Sequence, residues 1–226
     1  MTTDRIALDF YHDVVCGWCF VLGPRLKIVA REFDLEIRHK GFVLQDSRER
    51  MIAAFGSMPA AKAEILRHWE QCRAAADDPS SIDVEGMRAA PFEYPNGWLA
   101  ALACQAAERQ AGMEGHGRMF DALQVKHLTE NRDIADLDVI METARLIGLD
   151  PDQFERDVAG VEVHERVRAD RREAARLGIR SIPTLVVRGN NIMLRNIAST
   201  DDLRARIRGL TAQLEELRGQ QAPAHG

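Results

Sequence analysis

The chain has 226 residues, of which 46% are hydrophobic and 29% charged, and its formal net charge is −5. This composition is ordinary for a globular protein with a full core, and the acidic balance argues against a nucleic-acid surface. No apolar run approaches the roughly 20 residues of a membrane span, and no basic segment with an apolar signal core follows Met1. We therefore expect a soluble, cytoplasmic protein without nucleic-acid or membrane partners.

The first 45 residues predict a βαβ unit. Residues 5–12 alternate apolar and polar side chains, as a strand does, and residues 35–43 repeat that pattern. Between them, apolar residues recur at helical spacing over residues 22–33, with Pro24 inside the pattern. We expect a helix there that kinks at Pro24, because proline lacks an N–H and crowds the preceding turn.

Residues 46–160 predict a helical insertion domain. The helices expected within it cover residues 59–76, 96–111, 116–128 and 134–147. The composition of residues 77–97 is that of a loop, and Asn96 is the expected N-cap of the helix that follows. Residues 150–153, Asp-Pro-Asp-Gln, have the pattern of a cap, a first-turn proline and a capping-box partner.

Residues 161–218 predict a return to the sheet. Apolar residues hold helical spacing between Val163 and Leu177, although Asp170 interrupts the stripe. Strands are then expected over residues 184–187 and 192–194, joined by a turn. The final helix should be capped by Thr200 and carry one apolar face made of Leu203, Ile207, Leu210, Leu214 and Leu217. Residues 219–226 are expected to form a flexible tail.

A pair of cysteines, Cys16 and Cys19, follows the first strand directly. A structural zinc site needs four ligands, but Cys72 and Cys104 are isolated in the sequence. His12 and His39 show no ligand-like spacing either, so we expect no metal site. Cys72 and Cys104 lie in predicted helices and are expected to pack as small hydrophobic residues.

The position of the cysteine pair instead favours redox chemistry. A strand-to-helix turn offers unpaired backbone N–H groups and the positive end of the helix dipole, and both stabilise a thiolate. We expect Cys16 to be the nucleophile at this turn. Cys19 lies one helical turn further along and is expected to resolve a mixed disulfide formed on Cys16.

A second motif, Ser-Ile-Pro-Thr at residues 181–184, places a proline where a strand begins. Proline is tolerated in the trans form at the start of an edge strand, and only about 5–6% of X–Pro bonds are cis. The sequence pattern alone leaves both forms of the bond before Pro183 open.

Taken together, the Cys-Gly-Trp-Cys motif at residues 16–19, the helical insertion and the run of residues 175–184 resemble the DsbA family of thioredoxin-fold oxidoreductases. The long insertion and the Pro-Asn pair at residues 95–96 are most similar to its cytoplasmic FrnE-like branch. The resemblance implies an α/β thioredoxin fold, βαβ…ββα, with a large all-α insertion. It also implies that the bond before Pro183 is cis and that Ile182 pairs with an extended substrate.

The implied activity is thiol–disulfide exchange through Cys16 and Cys19, with Trp18, Ile182 and Pro183 as substrate-binding residues. Expected substrates are proteins or small molecules that carry thiols or disulfides, taken up by a monomer or a homodimer. No cofactor is expected beyond the dithiol, with glutathione as a candidate co-substrate. Members of the family often carry Pro-His or Pro-Trp between the cysteines, whereas this chain has Gly-Trp.

Two other functions remain open at this point. Kappa-type glutathione transferases and hydroxychromene-carboxylate isomerases resemble the same insertion, but they carry serine at the active position and no resolving cysteine. A non-enzymatic chaperone-like module would use the insertion as a groove for unfolded chains, and its activity would not depend on Cys16.

Overall fold

The computed structural model describes residues 5–221, with side chains described through Gln213. Within this part of the chain, four strands form one mixed sheet in the order β2-β1-β3-β4. Strand β2 is parallel to β1, β3 is antiparallel to β1, and β4 is antiparallel to β3. The strands are β1 (Ala7–His12), β2 (Glu36–Gly41), β3 (Thr184–Val187) and β4 (Met193–Leu194). The predicted βαβ…ββα order is confirmed.

Most of the remaining described residues are helical, and most of the helices lie between β2 and β3. The helices of the structure are α1 (Gly17–Glu32), α2 (Arg48–Phe55), α3 (Met58–Ala75), α4 (Val84–Ala89), α5 (Trp98–Gln124), α6 (Leu137–Leu146), α7 (Pro151–Ala159), α8 (Val161–Arg176) and α9 (Thr200–Gln221). A 3-10 turn at Pro79–Ser81 and a π-helical turn at Val125–Thr129 complete them. Over the described residues, no helix is both long and apolar enough to span a bilayer.

Two short helices lie where the sequence pattern predicts none. Helix α2 begins after Ser47, whose hydroxyl accepts a hydrogen bond from the backbone N–H of Arg50 at 3.2 Å. Helix α4 begins after Asp83, whose carboxylate accepts one from the N–H of Gly86 at 2.9 Å. Both are too short to show a clear apolar periodicity, so their capping residues were the only sequence signal.

Helix α5 joins two helices that the sequence predicts separately. Its backbone leaves helical geometry at Ala111 and at Gly112, where φ is +63°, a value that glycine adopts without strain. The predicted N-cap was wrong by one residue: Gly97 occupies the N-cap position, and Asn96 accepts a hydrogen bond from the N–H of Trp98 at 3.0 Å. The predicted cap at Asp150 is confirmed, since its carboxylate accepts from the N–H of Gln153 at 2.8 Å.

Asp170, the polar residue that interrupts the apolar face of α8, forms hydrogen bonds with the end of β2. Asp170 is buried, and its carboxylate accepts hydrogen bonds at 3.1 Å from the backbone of Gly41 and from the side chains of Lys40 and Gln105. One carboxylate therefore satisfies donors from β2 and α5 at once. A buried carboxylate costs free energy unless it is paired in this way.

Helix α1 is fixed to the rest of the molecule by a buried guanidinium. Arg25 contacts the Asp77 carboxylate at 2.7 and 3.0 Å. It also donates to the carbonyl of Ala75 at 2.6 Å and to that of Ala198 at 2.9 Å. These bonds join α1 to the end of α3 and to the segment before α9.

The residue that caps the final helix lies one position earlier than predicted. Ser199, and not Thr200, accepts a hydrogen bond from the N–H of Asp202, at 3.1 Å. Its predicted apolar face is buried at Leu203, Ile207 and Leu210. The other two predicted positions, Leu214 and Leu217, lie beyond the described side chains. The helix continues to Gln221, past the predicted start of the tail, and residues 222–226 lie outside the described residues.

Candidate active site

The C-terminal end of β1 and the N-terminal end of β3 lie side by side, at one end of the two central strands of the sheet. The two strands are antiparallel, and Tyr11 is opposite Thr184. The chain therefore leaves β1 and enters β3 at the same end of the sheet. Cys16 follows β1 there, and Pro183 directly precedes β3. This topology brings together two motifs that are separated by more than 160 positions in the sequence.

Cys16 and Cys19 lie at the first turn of α1. Cys16 is the N-cap, and its carbonyl accepts a hydrogen bond from the N–H of Cys19 at 3.0 Å. Both side chains are free thiols; Cys16 is 7% exposed and Cys19 is fully buried. Burial raises the pKa of the Cys19 thiol well above its ordinary value, and the adjacent Cys16 side chain raises it further. Cys16 is thus the more accessible sulfur of the pair.

The residues predicted to bind substrate share one cavity. Trp18, Ile182 and Pro183 line a space of about 340 Å³. The other lining residues are Val21, Leu22, Ser181, Asn196, Ile197 and Ala198. The peptide bond between Ile182 and Pro183 is cis, and Trp18 is 38% exposed at the rim. None of the side chains that line this cavity carries a formal charge, so it favours uncharged groups.

Helical-insertion side chains hold the backbone of the turn. The Tyr94 hydroxyl donates to the carbonyl of Val15 at 3.2 Å. The Gln124 amide donates to the carbonyl of Val14 at 3.4 Å and to that of Cys16 at 3.3 Å. His127 shares a hydrogen bond of 3.0 Å with the Tyr94 hydroxyl. The carbonyls of Val14 and Val15 would otherwise be buried without partners, which is costly, whereas that of Cys16 also accepts from the N–H of Cys19.

A buried carboxylate, Asp13, lies just before the cysteine pair and was missed from the sequence. It is 3% exposed and accepts hydrogen bonds from the N–H of Leu44 at 2.7 Å and of Val15 at 3.3 Å. Burial raises the pKa of Asp13 to about 6, although these backbone donors oppose the shift. A Cβ on Gly97 would lie 2.3 Å from this carboxylate, so the close approach requires glycine. An acidic residue directly after an apolar strand was the available signal.

A third cysteine lies against the motif. A Cβ added to Gly17 would lie 2.9 Å from the sulfur of Cys72, which real Cβ contacts do not tolerate. Cys72 is buried on α3, and burial, with the charge of Cys16 as a second cause, raises its pKa to about 12. Cys104 is buried in α5, and burial raises its pKa well above the ordinary value. The sulfur of Cys72 thus occupies the space that a side chain at position 17 would need.

Comparison with known proteins identifies relatives of this arrangement. The family described as DSBA-like thioredoxin domain matches residues 7–208. A curated relative, the ClpXP adapter protein SpxH of Bacillus subtilis, is 28% identical over 188 residues, which cover 80% of this chain and 57% of that protein. The chain therefore spans little more than half the length of the curated relatives that it matches.

Two solved structures share the fold over almost the whole chain. A candidate protein disulfide isomerase from Nitrosomonas europaea has a TM-score of 0.77 at 20% identity, covering 93% of this chain and 99% of that one. The cytosolic disulfide reductase DsbM from Pseudomonas aeruginosa has a TM-score of 0.73 at 21% identity, covering 92% and 99%. The same reductase has also been solved with GSH. The FrnE-like branch stays a prediction from the sequence motifs.

The packing of Cys72 against Gly17 predicts a coupled pair of substitutions. Gly17→Ala should lower the free energy of unfolding by about 1–3 kcal/mol, because its methyl group overpacks the contact. In a Cys72→Ala background the same change should cost at least about 1 kcal/mol less. Urea unfolding of the four proteins measures this coupling. Gly23→Ala is the control on the same helix, because its methyl group would have no atom within 4 Å. If Gly17→Ala lowers the free energy of unfolding equally with Cys72 and with Ala at position 72, the contact is contradicted.

The raised pKa of Asp13 predicts how stability changes with pH. Between about pH 4 and pH 6 the folded protein keeps a proton on Asp13 that the unfolded chain releases, so this group favours folding most at low pH. The wild-type protein should therefore lose stability relative to Asp13→Asn as the pH rises through that range. Denaturant unfolding at a series of pH values measures the difference.

Asp77 provides a control of opposite sign. The Arg25 guanidinium lowers the pKa of Asp77, so the wild-type protein should gain stability relative to Asp77→Asn as the pH rises through the ordinary aspartate range. The gain should be modest because Asp77 is largely exposed to solvent. A difference between wild type and Asp13→Asn that does not change with pH would refute the buried, protonated carboxyl.

Proposed function

We propose that this chain, which belongs to the DSBA-like thioredoxin domain family, is a thiol–disulfide oxidoreductase that reduces disulfides in polypeptide substrates. The observation that carries the proposal is the placement of the dithiol. Cys16 caps α1 at the same end of the sheet where Pro183 precedes β3, and Trp18, between the two cysteines, lines a cavity together with Ile182 and Pro183. Cys16 is not among the lining residues, but Trp18 joins the cavity to the turn of α1 that carries Cys16, so a substrate segment bound there would lie next to that turn.

The exchange proceeds in two balanced steps. The Cys16 thiolate attacks one sulfur of the substrate disulfide, and the other substrate sulfur leaves as a thiolate. The Cys19 thiolate then attacks the Cys16 sulfur, which releases the second substrate thiol and leaves a disulfide between Cys16 and Cys19. Two electrons pass from the protein to the substrate, and a thiol such as glutathione would return them in two reverse exchanges.

Asp13 is suited to assist the second step. Cys19 must lose its proton before it can attack, and burial disfavours its thiolate. Asp13 is near enough for its charge to raise the pKa of the Cys19 thiol, and its own pKa of about 6 means that it is ionised at neutral pH and can accept a proton. We assign Asp13 as the residue that accepts the Cys19 proton, directly or through water.

The cavity favours a protein substrate with uncharged side chains beside its disulfide. Its lining is largely apolar, with Ser181 and Asn196 as polar members. The Pseudomonas aeruginosa relative is named a cytosolic reductase and has been solved with GSH. These relatives support a cytoplasmic, reducing role and glutathione as the electron source for this chain.

Covalent trapping tests the roles of the cysteines. Cys19→Ser should accumulate mixed disulfides with a cystine-containing peptide on Cys16, because no resolving thiol remains. Cys16→Ser should trap little, since the remaining thiol is fully buried. Non-reducing gels and peptide mapping measure the adducts, with Cys104→Ala as a control that keeps both reacting thiols. Equal trapping by the two serine variants would refute the assignment, and unchanged activity of Cys16→Ala in preventing aggregation would favour a chaperone-like module.

The exposed indole of Trp18 predicts a loss of substrate affinity. Trp18→Ala should lower kcat/KM toward a disulfide-bonded protein about 10-fold or more, because truncating an aromatic anchor commonly costs 1–2 kcal/mol or more. Reduction of a small aromatic disulfide, which needs little of the cavity, should change much less. Ile28→Ala removes a similarly exposed apolar residue of α1 outside this cavity and should change neither rate. Equal losses with both substrates would indicate that Trp18 supports the helix and not the substrate.

A further inference from the structure

Three histidines from distant parts of the chain lie together where α5 packs against β1 and β2. His12 ends β1, His39 lies in β2, and His116 lies in the second half of α5. One nitrogen from each ring lies within 4.8 Å of the other two. His12 Nε2 and His39 Nδ1 are 3.1 Å apart, and the rings of His39 and His116 are stacked with centroids 5.1 Å apart.

The cluster has nitrogen atoms whose hydrogen-bonding capacity is not used. His116 Nδ1 lies 2.9 Å from a carboxylate oxygen of Glu108, which can only accept, so Nδ1 carries a proton. His116 is 1% exposed, and its Nε2 has no hydrogen-bond partner among the described residues. The same holds for the buried Nδ1 of His12. Other buried polar atoms of the described residues also lack partners, but only here do such nitrogens belong to a group of three histidines that lie together.

Aromatic side chains enclose one side of the cluster. Phe120 packs on His12 with ring centroids 3.9 Å apart, and Phe10 packs on both His12 and His39. Imidazole binds a metal ion through a ring nitrogen that carries no proton, so each of the three rings offers one ligand atom.

We propose that His12, His39 and His116 form a binding site for a divalent transition-metal ion, with Zn²⁺ as the favoured ion. Imidazole is a preferred ligand of zinc, and three histidines with an open fourth position for water are a known zinc coordination. Nitrogen ligands of tetrahedral zinc lie about 3.4 Å apart, given Zn–N distances of about 2.0–2.1 Å. Ligand nitrogens that lie up to 4.8 Å apart here would need to approach each other by as much as roughly 1.4 Å to reach that spacing.

Two further features fit a metal site. The Glu108 carboxylate holds the far nitrogen of His116, which is the usual outer-shell arrangement that fixes the tautomer and orientation of a ligand histidine. A cavity of about 310 Å³ reaches His39 and Glu108 at the border of the cluster, although four of its lining residues are Arg or Lys. The bound ion would cross-link β1, β2 and α5, and it would stabilise the folded chain because the unfolded chain lacks the site.

Metal titration of the full chain tests the site separately from the dithiol. Cys16→Ala/Cys19→Ala protein, treated with a chelator and then dialysed, should bind one equivalent of Zn²⁺ by calorimetry. Co²⁺ should give the visible absorption of a tetrahedral complex without the near-ultraviolet band of thiolate ligands. His39→Gln should weaken binding at least 100-fold, whereas His68→Gln, which changes an exposed histidine of α3, should not.

A second variant covers the case in which His39→Gln fails to fold, as judged by circular dichroism. Glu108→Gln keeps all three ligands and should weaken zinc binding about 10- to 100-fold. Zinc should also raise the Tm of the Cys16→Ala/Cys19→Ala protein. At the same zinc concentration, it should raise the Tm of that protein less when Glu108→Gln is added. Three results would overturn the proposal: no saturable binding, a thiolate band with Co²⁺, or equal affinity in His39→Gln and Glu108→Gln proteins and their parent.

Discussion

The turn from β1 into α1 depends on one constraint: its backbone carbonyls are buried and must find donors. Carbonyls buried inside a protein cannot use water for this purpose. The carbonyls of Val14 and Val15 accept hydrogen bonds from side chains of the helical insertion, Gln124 and Tyr94, and Gln124 adds one to the carbonyl of Cys16, which also accepts from the N–H of Cys19. The insertion is therefore part of the machinery that shapes the cysteine turn, in addition to whatever surface it offers to substrates.

The same constraint explains the polar residues gathered around the turn. Asp13 accepts from the N–H groups of Val15 and Leu44, so one carboxylate ties the turn to the segment after β2. His127 in turn positions the Tyr94 hydroxyl, and the indole of Trp69 packs edge-on against both rings. Polar atoms buried in such a chain are mutually dependent, because each loses most of its value if a neighbour moves. The network therefore connects the backbone at Cys16 to side chains of α3, of α5 and of the π-helical turn.

Sequence patterns predicted those features that depend on neighbours along the chain. Alternation identified β1 and β2, a short apolar run followed by a turn identified β3 and β4, and Asp150 was recognisable as a cap because its partner, Gln153, is three residues away. The cysteine motif and Pro183 were recognisable from local sequence and family resemblance. The Asp13 environment, the contact of Cys72 with Gly17 and the meeting of His12 with His116 depend on residues tens of positions apart. No periodicity records such contacts, and only the packed fold reveals them.

The contact between Gly17 and Cys72 also constrains how such a chain can change over generations. Position 17 lies between the two reacting cysteines, whereas position 72 belongs to a helix of the insertion. A lineage that replaced the glycine first would pass through a crowded, less stable intermediate, whereas one that first shortened the side chain at 72 would not. The order of the two substitutions thus matters. The residue at position 72, outside the motif, limits which residues can occupy position 17 between the two cysteines.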